Sequence, residues 1–314
     1  MKLAVLSHSN INLRQQLFWK EFSKFAEVLV VSPREWNGQI AINDKDGNYE
    51  LFTSDVENKG NMRFYYFHGD AFKKVSNFNP DIIFHQGEFY TTMCDLSQQL
   101  AKTLRCKFVN FCWDNINLPD KKSLKLIKKT DLNICGNEDC KKLYHGDIVL
   151  PQVGINVEDF KSGKDKEFDV IYVGREDKTK GIEYIKWAYP DTKFFHNIQY
   201  AEVPEIMGKS KILVNFPYDT NFWKEQFAPF SVIEAMSCGC VIITSNTSSV
   251  SEWLKDSPAI FVPMHNKEKL RDEIRNLLVN EKRLKKLSEQ SIEFAKRFDN
   301  KVVAENLYKN LKVI

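Results

Sequence analysis

Two short segments in the second half of the chain carry cations where a phosphate could bind. Gly174 and Arg175 directly follow the apolar run Phe168–Val173, and Lys180 and Gly181 come a few residues later. A glycine lets the backbone approach a ligand, an arginine can bind two phosphate oxygens at once, and a lysine adds a point charge near a helix start. This arrangement suits a diphosphate. A strand-to-helix turn with solvated charges would show the same pattern, so both interpretations stay open at this point.

A second segment, further along the chain, has a more specific pattern. It reads Glu225-Gln226-Phe227-Ala228-Pro229-Phe230-Ser231-Val232-Ile233-Glu234-Ala235-Met236-Ser237-Cys238-Gly239, and an apolar run follows. This pattern resembles the C-terminal domain of the GT-B glycosyltransferases, in particular the retaining family 4 enzymes. Those enzymes carry a Glu, seven residues, and then Glu-Ala-Met-Ala-Cys-Gly before an apolar strand. Pro151–Phe160 is similar to the family's segment at the domain junction, and the resemblance is strongest over residues 148–265.

The resemblance implies a role for each matching position. Arg175 and Lys180 would be catalytic: they would hold the diphosphate of a nucleotide-sugar donor and neutralise the leaving group. Glu234 would accept hydrogen bonds from the nucleotide ribose, and the acid at the start of the motif would contact donor-sugar hydroxyls. The other implied donor contacts lie beside the phosphates and the base: Gly174, Gln226, Phe227, Ala228, Pro229, Phe230, Ser231 and Ile198. Preorganised positive charge at a departing diphosphate lowers the barrier of the transfer step.

The chain departs from the family pattern at the first acidic position. The family interval, counted back from Glu234, reaches Gln226, and Glu225 lies one residue further out. Either Gln226 replaces the acid, or a shift of one residue lets Glu225 serve. We favour Glu225 as a catalytic residue, because an amide cannot stabilise positive charge on the sugar. The departure bears on the identity of the donor sugar more than on the reaction class.

The first half of the chain supplies acceptor candidates. His85 and Glu88 follow the apolar run Asp81–Phe84, and Asp114 and Asn115 follow another. By resemblance, His85 would be a catalytic residue that faces the donor sugar. Glu88, Asp114 and Asn115 would contact the acceptor. A hydrogen-bonded loop histidine is an equally good interpretation of His85.

The spacing of apolar residues predicts the elements that position these groups. Short apolar runs alternate with helical spacing in both halves, which predicts parallel sheets with helical crossovers. We predict an α/β protein with two Rossmann-like domains that face each other across a cleft, the GT-B arrangement. The predicted acceptor domain covers residues 1–155, the nucleotide-sugar domain covers 156–298, and a last helix over 299–314 crosses back to the first domain.

Three segments are predicted in more detail. The polar segment Arg34–Lys59 is expected to hold loops, and Arg63–Phe67 is expected to form a strand. The periodic segment Lys267–Phe298 predicts one long helix or two.

The composition excludes several classes of protein. The 314 residues suffice for two domains, and a net charge of +3 is too small for a dedicated nucleic-acid binder. No apolar run approaches the roughly 18–20 residues that span a bilayer. The seven cysteines, odd in number and without CxxC spacing, predict free thiols in a reducing cytoplasm rather than disulfides or a zinc site. We therefore expect no metal and no cofactor other than the donor substrate, and the resemblance likewise implies metal-independent catalysis.

A basic segment over residues 121–130 allows two interpretations. Many relatives dock on membranes through such a face, which would place the protein at the inner membrane surface. An ordinary solvated helix is the other interpretation and the favoured one.

These observations predict a hexosyltransferase. It would move a sugar from a nucleoside-diphosphate-sugar donor to a hydroxyl of a sugar, lipid-linked or protein-linked glycan acceptor, and retention of anomeric configuration follows from the resemblance alone. Two alternatives stay open: a non-catalytic nucleotide- or sugar-binding protein of the same fold, and a GT-B nucleotide-sugar epimerase.

Overall fold

The computed structural model describes residues 1–163, 165–227 and 229–314. The chain forms two compact units. Unit 1 comprises Met1–Gly154 and Asn300–Ile314, and unit 2 comprises Ile155–Asp299. The chain enters and leaves unit 2 side by side, where the amide of Ile155 donates a hydrogen bond of 2.8 Å to the carbonyl oxygen of Phe298.

Unit 1 is built on a sheet of short apolar strands. Its strands are β1 (Lys2–Leu6), β2 (Glu27–Pro33), β3 (Glu35–Trp36), β4 (Gln39–Ile40), β5 (Asp44–Asp46), β6 (Tyr49–Ser54), β7 (Val56–Glu57), β8 (Tyr66–Phe67), β9 (Ile82–Gln86), β10 (Lys107–Cys112), β11 (Leu132–Cys135) and β12 (Ile148–Val149). Eight of them form one sheet in the order β12-β11-β10-β9-β1-β2-β6-β5, in which only the β5–β6 pair is antiparallel. The central strands are buried on both faces, as expected for a parallel sheet covered by helices.

Helices follow the strands of this sheet. They are α1 (Leu13–Phe22), α2 (Gly69–Phe78), α3 (Thr92–Leu104), α4 (Lys121–Ile127) and α5 (Glu138–Tyr144). Polar residues before three of them fix where they begin. The side chains of Thr91, Asp120 and Asn137 accept hydrogen bonds from first-turn amides of α3, α4 and α5. Such N-caps satisfy amides that have no partner inside a helix.

Unit 2 repeats the parallel arrangement on a smaller scale. Its strands are β13 (Phe168–Val173), β14 (Lys193–Phe195), β15 (Ser210–Asn215), β16 (Val241–Ser245) and β17 (Ile260–Val262), and its helices are α6 (Ile182–Ala188), α7 (Val203–Gly208), α8 (Phe230–Ser237), α9 (Ser248–Trp253), α10 (Lys267–Val279) and α11 (Glu281–Ala295). The strands lie in the order β14-β13-β15-β16-β17, and every pair is parallel. The carboxyl ends of all five strands therefore meet at one edge.

The last helix, α12 (Asn300–Leu311), belongs to unit 1. It packs against α1, and the ring of Tyr308 stacks on that of Phe25 with the centroids 5.4 Å apart. No helix in the described parts of the chain has an apolar stretch long enough to cross a membrane.

The structure corrects the prediction of loops over Arg34–Lys59. This segment contains β6, which pairs in parallel with β2 inside the large sheet. The apolar pattern of the sequence does not indicate β6, because two of its buried residues are polar. Thr53 is satisfied by Asn43, to whose Oδ1 both its amide and its hydroxyl donate, and the Ser54 hydroxyl donates to Asp70 Oδ1 over 2.6 Å.

One further segment differs from expectation in extent, and another takes one of its two predicted forms. Within the predicted strand Arg63–Phe67, only the last two residues form a strand, β8. The segment Lys267–Phe298 forms two helices, because Asn280 ends α10 and its side chain caps α11 by accepting from the amide of Arg283.

Two adjacent valines on α12 test its packing on unit 1. Val303 is 3% exposed and Val302 is 41% exposed. We expect Val303→Ala to lower the free energy of unfolding by about 2 kcal/mol, because it removes buried methyl groups and leaves a small cavity. The matched change Val302→Ala should alter it by less than about 0.5 kcal/mol. Denaturant unfolding followed by circular dichroism measures both, and equal losses would contradict the packing of α12.

Candidate functional site

The loop after β13 presents the first predicted cation. The hydroxyl of Tyr172 donates a hydrogen bond of 2.7 Å to the carbonyl oxygen of Arg175, and Nδ1 of His196 lies 2.7 Å from the carbonyl oxygen of Gly174. A Cβ on Gly174 would lie 2.9 Å from the Tyr172 hydroxyl oxygen, so the backbone fits only glycine without a shift. The loop is thus held by its backbone, and the Arg175 side chain is left exposed.

The second predicted cation, Lys180, ends a short 3-10 turn over Lys178–Lys180. The carboxylate of Asp177 begins this turn by accepting from the amide and the hydroxyl of Thr179, at 2.8 and 2.7 Å. Gly181 ends it at φ +67°, and a Cβ there would overlap the carbonyl oxygen of Phe216. A glycine is needed on both grounds, which explains the Lys-Gly pair in the sequence.

Lys180 pairs with Glu225. Its Nζ lies 2.6 Å from Glu225 Oε2, each side chain is 12% exposed, and Nζ lies 5.0 Å from the centroid of the Trp223 ring. Burial raises the pKa of Glu225, and the positive charges of Lys180 and Arg175 oppose that rise. Of the two candidates for the acidic position, Glu225 is the one in contact with Lys180. Gln226 is half-buried.

The donor contacts implied around the start of α8 fall into two groups. Phe227, Pro229, Phe230 and Ser231 are half-buried at the beginning of the helix, and Phe227 packs on the ring of Trp253 at 4.9 Å. Glu234 lies one turn further on and is 2% exposed. Ile198 is half-buried against the core of unit 2. Ala228 lies outside the described residues.

Two residues that the sequence analysis did not name as site candidates contact the loop residues Gly174 and Lys180. His196 directly follows β14, and Trp223 lies in the segment after β15. The position of His196 just beyond an apolar run could have indicated it, because ligands bind at the carboxyl ends of strands in such sheets. Nothing in the local sequence indicates that Trp223 meets Lys180.

In unit 1, His85 lies inside β9 and is fully buried. Its Nδ1 lies 2.7 Å from Oδ1 of Asn110, its neighbour on β10. Burial lowers the pKa of His85 to about 4, so the imidazole is neutral at neutral pH. The structure therefore places His85 inside the sheet, hydrogen-bonded to Asn110, rather than in a loop. Its assignment as a catalytic residue stays a prediction.

Glu88 lies just beyond β9 and is 5% exposed. Its Oε1 accepts hydrogen bonds from the amides of Trp113 and Asp114, at 3.2 and 3.1 Å. Its Oε2 is buried and has no hydrogen-bond partner among the described residues. Burial, reinforced by the charge of Asp114, raises the pKa of Glu88 to about 8. The carboxyl is thus mostly protonated at neutral pH and able to donate a hydrogen bond.

The other two acceptor candidates, Asp114 and Asn115, are also buried, at 3% and 2% exposure. The carboxylate of Asp114 accepts hydrogen bonds from the Tyr90 hydroxyl (3.1 Å) and from the Asn117 side-chain amide (2.6 Å). Glu88 lines a small cavity of about 30 Å³ together with Tyr65, Tyr90 and Trp113. The structure brings Glu88 and Asp114 together at the loop after β10, and their assignment as acceptor contacts stays a prediction.

The basic helix α4 has the features of a solvated surface helix. Lys122 pairs with Asp95 at 2.7 Å. Leu126 is 7% exposed and packs inward, and its carbonyl oxygen accepts from Gln98 over 3.0 Å. Its basic face therefore lacks the broad exposed apolar stripe of an interfacial helix.

A known protein family matches part of unit 2. Residues 189–294 match the family model Glycosyl transferases group 1. The match includes Glu225 and Glu234 and begins after Arg175 and Lys180. This part of unit 2 is therefore similar to the group 1 glycosyl transferases. No curated protein sequence matches the chain.

Solved structures match the whole chain in fold. Sucrose-phosphate synthase from Thermosynechococcus elongatus is 14% identical with a TM-score of 0.72, and 99% of each chain is covered. HepE from Anabaena, in complex with UDP and glucose, is 13% identical with a TM-score of 0.74, and 100% of each chain is covered. The α,α-trehalose 6-phosphate synthase from Burkholderia multivorans is 10% identical with a TM-score of 0.64, over 99% of this chain and 96% of that one. These likenesses confirm the predicted GT-B fold class.

The raised pKa of Glu88 predicts a pH dependence of stability. Between the ordinary carboxyl value of 4.5 and about 8, the folded chain holds a proton that the unfolded chain has lost. The free energy of unfolding should therefore fall as pH rises through this range, by on the order of 5 kcal/mol in all, and Glu88 should cause no further fall above it.

Glu88→Gln tests this dependence, because the amide oxygen can accept the same two backbone hydrogen bonds and does not titrate. Denaturant unfolding at a series of pH values should give the variant a flatter profile. Glu27→Gln, which alters a carboxyl 46% exposed in the same unit, should keep the wild-type slope. A Glu88→Gln profile parallel to wild type would contradict the assignment.

Proposed function

We propose that the protein is a glycosyltransferase that moves a sugar from a nucleoside-diphosphate-sugar donor to an acceptor hydroxyl, with retention of anomeric configuration. The observation that carries the proposal is the Lys180–Glu225 ion pair in the loops at the carboxyl edge of the unit 2 sheet. Arg175 lies between β13 and α6, as Lys180 does, and its positive charge also opposes the rise in the pKa of Glu225. This arrangement combines two cations for a diphosphate with one carboxylate for the sugar.

The proposed chemistry rests on the two cations. Departure of a nucleoside diphosphate leaves new negative charge on the phosphate oxygen, and fixed positive groups at that position lower the barrier. Arg175 is exposed, and its guanidinium can bind two phosphate oxygens. Lys180 is held in place by Glu225 and by the aromatic face of Trp223. With these cations in place, the proposal requires no metal ion.

A uridine diphosphate hexose is the donor class that we propose. The support is that HepE, which shares the fold, is bound with UDP and glucose. We propose unit 1 for the acceptor, a sugar, a lipid-linked glycan or a protein-linked glycan. The seven cysteines, all free, support a reducing compartment such as the cytoplasm.

The phosphate assignment predicts that UDP binding depends on Arg175 and Lys180 but not on the nearby Lys178. We expect Arg175→Ala and Lys180→Ala each to weaken UDP binding by roughly tenfold or more, because each removes a charge-assisted contact to phosphate. Lys178→Ala, which alters an exposed lysine of the same turn, should leave binding within about twofold of wild type. Titration calorimetry with UDP measures all three affinities. Unchanged affinity in both Arg175→Ala and Lys180→Ala would reject the assignment.

Measurements of UDP affinity and of turnover can show which of Glu225 and Gln226 fills the acidic position. Glu225→Gln removes a negative charge beside Lys180, so UDP affinity should stay the same or rise. Turnover, measured as UDP release from UDP-glucose with and without sugar acceptors, should fall by roughly 100-fold. Gln226→Ala should change turnover by less than Glu225→Gln does. The reverse order of the two variants would assign the acidic position to Gln226.

A further inference from the structure

Three cysteine sulfurs meet in the core of unit 1. Cys112 ends β10, Cys135 ends β11, and Cys140 lies in the first turn of α5. The Sγ atom of Cys112 lies 3.7 Å from that of Cys135 and 3.4 Å from that of Cys140, and all three lie within 4.8 Å of one another. Each residue is fully buried. No described pair is joined as a disulfide.

The spacing of these sulfurs fits a single bound ion. A metal about 2.3 Å from each of three sulfurs, in their plane, requires the sulfurs to be about 4 Å apart. The observed separations therefore need only sub-ångström adjustments. We propose that Cys112, Cys135 and Cys140 form a binding site for a soft cation that takes three sulfur ligands, with Cu(I) as its occupant.

The ligand set decides between classes of metal. Among the described residues, no imidazole or carboxylate belongs to the cluster, which consists of sulfur alone. Mg²⁺ and Ca²⁺ require oxygen ligands, and structural Zn²⁺ sites take four ligands in a tetrahedron. Soft thiolates select Cu(I), Zn²⁺ and iron–sulfur clusters, and of these Cu(I) is the one that three sulfur ligands can satisfy without a fourth.

Binding of the ion releases protons. A cysteine coordinates Cu(I) as a thiolate, so its proton leaves to solvent and a copper–sulfur bond replaces the sulfur–hydrogen bond. The first proton lost balances the charge of the monovalent ion, and each further thiolate adds one negative charge to the core.

The ion would join three elements, of which β10 and β11 are already paired as neighbouring strands. It would connect the ends of β10 and β11 to the start of α5. Gly136, between β11 and α5, also contacts the loop after β10, since a Cβ there would lie 3.2 Å from that of Trp113. Occupancy should therefore stabilise this edge of unit 1.

The test is an anaerobic titration of the full chain with Cu(I), in competition with a chromophoric Cu(I) chelator. We expect one equivalent to bind tightly and to raise the melting temperature. X-ray absorption of the wild-type complex should show three sulfur neighbours and no oxygen or nitrogen neighbour. Cys112→Ala, Cys135→Ala and Cys140→Ala should each weaken binding by at least roughly tenfold, while Cys106→Ala, which alters a half-buried cysteine outside the cluster, should not.

Three results would overturn the proposal. They are no tight binding to the wild-type chain, binding that survives in the three cluster variants, and a spectrum with fewer than three sulfurs. The spectrum uses the unmodified chain, so it decides the question even if an alanine variant fails to fold. Circular dichroism of each variant separates a lost ligand from a lost fold.

Discussion

Parallel strand pairing is the constraint on which the placement of every candidate residue depends. In a parallel sheet, all carboxyl ends lie at one edge, and the loops that leave that edge share the space beyond it. Unit 2 uses this to bring Lys180 and Glu225 within 2.6 Å of each other, although 45 positions separate them. Unit 1 uses the same principle to place Glu88 beneath the loop that follows β10. The chemistry of both units is thus set by strand order rather than by distance along the chain.

The Lys180–Glu225 pair contributes little to stability, but it fixes the position of a charged group. Removing two charges from water nearly cancels their attraction, so a pair that is 12% exposed on each side adds little net stability. Its contribution is geometric, because it fixes an ammonium group that would otherwise move on a flexible stem. The face of Trp223 restricts the same group from another side. A lysine held in this way would need little reorganisation to bind the proposed phosphate.

The fold class could be predicted because it depends on local patterns. Apolar runs such as those of β1 and β9 alternate with helical spacing, and the glycine after Lys180 indicates a tight turn. Long-range partners could not be predicted in the same way. Asn110, which receives the His85 ring, lies on another strand, and no spacing rule connects the two. The cysteine cluster escapes a CxxC search for the same reason, since its members come from three elements.

Burial was the property hardest to predict for the acceptor candidates. Glu88, Asp114 and Asn115 follow apolar runs, as exposed ligand contacts often do, yet each is at most 5% exposed. Tyr90, which donates to Asp114, lies near Glu88 in the sequence. Met62, Tyr65 and Trp113, which line the same cavity as Glu88, lie far from it, and no window of sequence around Glu88 can report them.

The order of the chain also bears on how unit 1 is made. Its sheet is encoded first, but α12, which covers α1, is encoded after the whole of unit 2. During synthesis, the side of α1 that receives Tyr308 therefore stays uncovered while the whole of unit 2 is being added. Unit 1 thus completes its core only after unit 2 has been translated, and its exposed aromatic face is open to chaperones or to other nascent chains throughout that interval.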